Sequence, residues 1–193
     1  LRGDTVEGLF DALYLLQEKL SKSGIESAAI GALALSVWGK ARLTRDVDVK
    51  VAVSREEADR LLDVLLPSYT PVAADPKRTL EQFGMLFFRD EKGVRIDILL
   101  AEVEFDMEAI RRSRKVEVRP GVVVQVCAPE DLIIYKLIST RLQDHVDAQS
   151  VIRRQDRSLD EEYILQWLLK FEKALDDSTL INSFRTIQQS VSG

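Results

Sequence analysis

Apolar residues define the first element. Val6, Leu9, Phe10, Leu13, Leu16 and Leu20 recur at the spacing of one helical face, and Gly24 follows as a stop. A short strand is expected at about 28–30. Gly31 then turns the chain into a short helix through Leu33, Leu35 and Trp38, closed by Gly39. From Asp46 the pattern alternates, with Val47, Val49 and Val51 apolar and Asp46, Asp48 and Lys50 polar. That is a half-buried β-strand running to about residue 53. Ser54 and Glu57 have the spacing of a capping box, which opens a helix that ends before Pro67. Strands at 85–88 and 94–100 flank the hairpin turn Asp90-Glu91-Lys92-Gly93. A short helix at 106–112, a strand at 115–118, the turn Arg119-Pro120-Gly121 and a strand at 122–127 complete the front part.

From Pro129 the pattern is helical throughout. Pro129 suits a first helical position, and Glu130 and Asp131 suit the positive end of the helix dipole. Ser158 and Glu161 form a second capping box ahead of Ile164, Trp167, Leu168 and Phe171, and a last helix covers about 179–190. Strands and helices do not alternate regularly, so the expected class is α+β rather than a doubly wound sheet. The expected division is a core at 1–128 and a helical subdomain at 129–193, with no internal repeat.

At 193 residues the chain holds one ordinary domain, or one with a small appendage. No apolar run is long enough to span a bilayer, and from Leu1-Arg2-Gly3-Asp4 no signal segment is expected. Cys127 is the single cysteine, which excludes an intramolecular disulfide and a cysteine-built zinc site; it lies in an apolar run and reads as a small buried hydrophobe. His145 is the single histidine, so a histidine-rich metal site is excluded too. A reduced, cytoplasmic setting with no membrane partner is the expectation. The net charge of −5 argues against broad nucleic-acid binding, which needs many cations against phosphates. Two local basic groups remain: Lys40, Arg42 and Arg45 beside the Asp pair, and Arg111, Arg112, Arg114, Lys115 and Arg119, read as solvated surface.

The chemistry starts at Asp46 and Asp48. Residues two apart on a strand share a face, so two carboxylates stand side by side. Mg²⁺ is commonly held by one or two carboxylates together with substrate phosphate oxygens; the plainer reading is two solvated aspartates at a strand start. Asp97 is a third carboxylate, central in the apolar strand Ile96-Asp97-Ile98. A charge there needs a cation, a ligand or hydrogen bonds. If its strand lies beside that of Asp46, three carboxylates converge as a two-metal site requires; otherwise Asp97 pairs with Arg95 or another surface cation. Gly31 and Ala32, where strand gives way to helix, offer backbone N–H groups to a phosphate, or make a plain turn. Lys136 either snorkels to water or reaches a triphosphate. Asp144 orients Lys136 or Arg141, or caps the next helix.

Together these residues resemble a minimal nucleotidyltransferase of the polymerase-β-like superfamily, most like the stand-alone group that includes the AbiEii-type toxins. The family pattern is a Gly-Gly or Gly-Ser turn, Arg-x-Thr/Ser-x-Asp-h-Asp with h apolar, an h-Asp-h strand, a helix with Lys, and Arg-x-x-Asp. Its counterparts here are Gly31, Arg42-Leu43-Thr44-Arg45-Asp46-Val47-Asp48, Ile96-Asp97-Ile98, Lys136 and Arg141-Leu142-Gln143-Asp144. Ala32 stands where the family has its second Gly or Ser.

The resemblance implies a small mixed sheet carrying the active site and C-terminal helices that close over the nucleotide. It implies Mg²⁺ on Asp46, Asp48 and Asp97, with Asp97 also activating the acceptor hydroxyl. Gly31, Ala32, Arg42, Thr44, Lys136 and Asp144 would bind the nucleotide, ATP or another NTP. An NMP would pass to an RNA end such as tRNA, a protein or a small molecule such as an aminoglycoside, and an antitoxin partner is implied where the chain acts as a toxin. Two other classes stay open. One is a metal-dependent nuclease, on Asp48-Val49-Lys50, although the preceding strand has no acidic residue. The other is a catalytically silent nucleotide- or partner-binding module of the same fold.

Overall fold

The computed structural model describes residues 6–191; the expectation drawn from residues 1–4 lies outside them. The described residues form two compact units: 6–33 with 43–127, and 34–42 with 128–191.

The first unit is built on one mixed sheet. Helix α1 (Val6–Lys22) buries Leu9, Leu13, Leu16 and Leu20 as one stripe. Gln17 on the same helix accepts from the Gln125 N–H and donates to the Gln125 carbonyl, both at 2.8 Å, so a side-chain amide fixes the helix to a strand backbone. The strands are β1 (Ser27–Ala29), β2 (Asp46–Val51), β3 (Thr70–Pro71), β4 (Met85–Arg89), β5 (Arg95–Leu100), β6 (Arg114–Arg119) and β7 (Val122–Val126). Among the described residues they lie in the order β3-β4-β5-β2-β1-β7-β6. β2 pairs in parallel with β5 and antiparallel with β1, so it is interior on both sides. Its burial follows its sequence: Val47, Val49 and Val51 face the core, and the Asp and Lys positions face the other way, half-buried.

Between the strands run α2 (Gly31–Trp38), α3 (Ala58–Leu65), α4 (Pro76–Phe83) and α5 (Glu104–Arg111). A single 3-10 turn precedes α3, and the Glu57 carboxylate accepts from the Ser54 N–H there at 3.3 Å. α4 and β3 were not expected. α4 buries only Leu80, so it has no apolar stripe to reveal it. Its signals are instead at its ends: Asp75 accepts from the Arg78 N–H, Pro76 occupies the first turn, and Gly84 takes the left-handed cap.

The second unit is helical. α6 (Pro129–Leu137) is packed by α7 (Leu142–Gln155), α8 (Glu161–Leu175) and α9 (Leu180–Val191). Tyr135 is the residue of α6 that is not buried. The cap of α8 is Asp160, which accepts from the Tyr163 N–H at 3.0 Å; Ser158, expected in that role, sits in a preceding 3-10 turn. Cys127, in the first unit, is fully buried. Among the described residues no helix is long and apolar enough to cross a membrane.

Candidate active site

The parallel register of β2 and β5 sets Asp46 opposite Arg95, and Asp48 opposite Asp97. Residues two apart on a strand share a face, as do direct cross-strand partners. Asp46, Asp48, Arg95 and Asp97 therefore form a two-by-two array on one sheet face. On the far side of β5, β4 sets Phe87 opposite Asp97 and Arg89 opposite Arg95. Asp97 comes beside Asp48 because two strands far apart in sequence pair in this one register.

Each carboxylate has a local support. The Thr44 hydroxyl donates to Asp46 Oδ1 at 2.6 Å, which accounts for a hydroxyl residue two before Asp46. Gly31 begins α2 with φ +63°, and a Cβ there would lie 2.1 Å from Asp48 Oδ2. The Ile30 N–H donates to the Asp48 carbonyl at 3.0 Å, bringing the two backbones together. Gly31 is thus needed twice, for its backbone conformation and for the approach of Asp48. Ala32, the next residue, is buried.

Asp97 is 8% exposed, and both its oxygens are engaged. Arg95 Nε donates to Oδ1 at 2.7 Å and Arg95 Nη2 to Oδ2 at 2.9 Å, a two-pronged fork. The Arg95 guanidinium also lies 4.4 Å from the centre of the Phe87 ring. The hydrogen bond to Asp97 raises the Arg95 pKa above its ordinary value; burial opposes this, and the fields of Asp97, Asp46 and Asp48 add to it. One guanidinium therefore senses all three carboxylates. The sequence offered Arg95 as the plainer partner for Asp97. The pair is present, and its strand is interior, between β4 and β2. Lys50 shares the face of Asp48, and its ammonium is bound to Asp106 at 2.8 Å and the Leu100 carbonyl at 3.2 Å. That structural commitment weighs against the nuclease reading.

Among the described residues, no group of three or more His, Cys, Asp or Glu side chains is arranged to hold a metal ion. The donor chemistry nevertheless suits a hard divalent cation. Mg²⁺ needs only one or two protein carboxylates when substrate phosphates complete its shell, and Asp46 and Asp48 supply two hard oxygen donors on one face.

The second unit holds the other candidates. Lys136 is 4% exposed and does not snorkel to water. Its ammonium lies 2.5 Å from Asp144 Oδ1 and 3.0 Å from Asp147 Oδ2. Asp144 also accepts from Arg141 Nε at 2.6 Å and from the Ser139 hydroxyl at 2.7 Å. Asp147 accepts from Arg42 Nε at 3.2 Å and Gln143 Nε2 at 3.0 Å. Burial pushes the Asp144 carboxyl up, yet the bonds from Lys136, Ser139 and Arg141 and the Lys136 charge outweigh it, holding the group below its usual range. Arg42, Lys136 and Asp144 thus belong to one ionic network, in which Lys136, Asp144 and Asp147 are buried and Arg42 is exposed. Asp147 was missed in the sequence, although its i, i+3 spacing from Asp144 puts both on one helix face.

No protein-family model matches the chain, and no curated protein sequence matches it. Solved structures do resemble it. The antibiotic-resistance factor ANT(2'')-Ia matches with a TM-score of 0.58 at 12% identity, over 90% of this chain and 95% of that one. An antigenic nucleotidyltransferase-like protein from Paracoccidioides brasiliensis matches with a TM-score of 0.53 at 16% identity, over 91% and 92%. The lincosamide antibiotic adenylyltransferase LnuA, lincomycin-bound, matches with a TM-score of 0.51 at 11% identity, over 73% and 94%. What the chain shares with them is the nucleotidyltransferase fold, an α+β core on a mixed sheet with a helical C-terminal part.

Proposed function

We propose that the chain is a Mg²⁺-dependent nucleotidyltransferase that moves an NMP from an NTP to an acceptor hydroxyl. One observation carries the reading: the β2–β5 register that puts Asp97 next to Asp48 on the face that also holds Asp46. Asp46 and Asp48 would hold the cation, with Asp97 as a further ligand. Bound there, Mg²⁺ supplies neutralisation of phosphate charge. Asp97 takes the proton of the acceptor hydroxyl as its oxygen bonds to the α-phosphorus and pyrophosphate leaves. The N–H groups of Gly31 and Ala32, at the start of α2, suit phosphate oxygens. Thr44 acts on the reaction by fixing Asp46. Lys136, Asp144 and Arg42 serve the nucleotide through their shared network. Positioning and charge neutralisation then dominate the rate.

The acceptor classes are an RNA end, a protein or a small molecule, and the adenylyltransferase among the similar folds favours a small molecule such as an antibiotic. Membership of the AbiEii-type group, with an antitoxin partner, is part of the proposal. The test incubates the protein with each labelled NTP, Mg²⁺ and cellular RNA, lysate or aminoglycosides. Label passes to one fraction in the wild type and to none in Asp46→Asn. Equal transfer by Asp46→Asn overturns the reading. The Asp97–Arg95 fork favours a second reading, a silent module of the same fold. That module would bind NTP and never release pyrophosphate.

A further inference from the structure

Both oxygens of Asp97 are held by Arg95, at 2.7 and 2.9 Å. A divalent cation that draws on Asp97 competes for those oxygens and meets a positive charge beside them. The two partners differ in freedom. The Asp97 side chain is 11% exposed and the Arg95 side chain 44%. The aspartate is fixed inside the sheet face, and the arginine is the group able to leave.

Arg95 also has somewhere to go. Its guanidinium already rests on the ring of Phe87, which is cross-strand partner to Asp97. Cation–π stacking retains an arginine without using a carboxylate oxygen. The other cations of this face are committed elsewhere: Lys50 to Asp106, and Arg89 to the Gly93 carbonyl at 3.0 Å.

We propose that Arg95 is the built-in counterion of the carboxylate face, holding Asp97 with its fork and yielding it, onto Phe87, to an incoming divalent cation. The metal then binds at the cost of breaking a charge-assisted pair, and Arg95 sets the metal concentration at which the site fills. This rests on the reading of Asp46, Asp48 and Asp97 as metal ligands.

The experiment titrates Mn²⁺, a paramagnetic stand-in for Mg²⁺, and reads the free ion by electron paramagnetic resonance. It uses the wild type, Arg95→Ala, Arg95→Gln and Asp48→Asn, each checked for folding by circular dichroism. Arg95→Gln leaves Asp97 a neutral donor and serves if Arg95→Ala does not fold. The expected result is Mn²⁺ binding about three- to tenfold tighter without the Arg95 charge, the half-exposed pair being worth less than a buried one. Asp48→Asn binds more weakly than wild type. Wild-type binding that falls in Asp48→Asn but is unchanged or weaker in a folded Arg95 variant overturns the inference and leaves the metal reading standing. Binding that is the same in wild type and Asp48→Asn removes the metal reading, and the inference with it.

Discussion

Gly31→Ala is the most direct test of how the fold shapes the Asp48 side of the site. The perturbation has two parts. Gly31 has φ +63°, a left-handed conformation that costs a residue with a Cβ about 1–2 kcal/mol. The new methyl group would also lie 2.1 Å from Asp48 Oδ2 and 2.9 Å from its Cγ. The carboxylate must swing away, and an off-rotamer side chain costs about 0.5–1.5 kcal/mol. The sum is about 1.5–3.5 kcal/mol, a fall in Tm of about 3–14 °C for a chain of this size. Thermal melts followed by circular dichroism measure it. Repeating the change in an Asp48→Ala background separates the two parts, because removing the carboxylate leaves only the backbone cost of about 1–2 kcal/mol. Mn²⁺ binding should weaken in Gly31→Ala alongside the melt. A Tm within a degree of wild type, or an identical cost in both backgrounds, would refute the argument that Gly31 is there for Asp48.

Thr44→Val removes the hydroxyl that fixes Asp46 and should weaken Mn²⁺ binding while leaving the circular dichroism spectrum unchanged; equal affinity would show that Asp46 needs no such support. Lys136→Met leaves Asp144 and Asp147 buried without their shared cation, so the expected loss is about 3–5 kcal/mol in denaturant titration; a loss under 1 kcal/mol would mean that the network does not hold the second unit together. Because the Asp144 carboxyl is held below its usual range, its contribution is fully present above the unfolded value of about 3.9 and is lost as pH falls through the lower folded value. Asp144→Asn should therefore lower Tm at neutral pH and flatten its decline in acid; a parallel decline would contradict the assignment.

What the sequence revealed was local. Asp46 and Asp48 share a face because the strand period is two, and that follows from adjacent residues alone. The stripe of α1 and the hairpin of β4 and β5 were readable for the same reason: their patterns need no partner. The position of Asp97 was readable only in part. Its apolar neighbours placed it in the middle of a strand, but the register that brings it to Asp48 is a long-range pairing. α4 escaped because it buries one leucine and is marked only by Asp75, Pro76 and Gly84. Lys136 was read as choosing between water and phosphate, because a helix seen alone does not show that Asp144 and Asp147 of the next helix meet its ammonium.

Arg95 ties these observations together. Three carboxylates on one face of an interior strand pair work against folding, since each charge raises the cost of the others. The fold needs a cation there whether or not any ligand is bound, and Arg95, two residues before Asp97 on its own strand, supplies one with matching geometry. A lysine would supply charge without the fork, and a more buried arginine would not let go. The half-exposed Arg95 on Phe87 lies between those extremes. The same contact that lets the carboxylates be built into the sheet thus stands between them and a metal, so a stronger pair would stabilise the chain and make it a poorer metal binder. Arg95→Gln puts that trade on one protein: it should lower Tm without metal and recover more of the loss than wild type gains when Mn²⁺ is added. A variant that is less stable than wild type and gains nothing extra from Mn²⁺ would mean that Arg95 serves the fold alone.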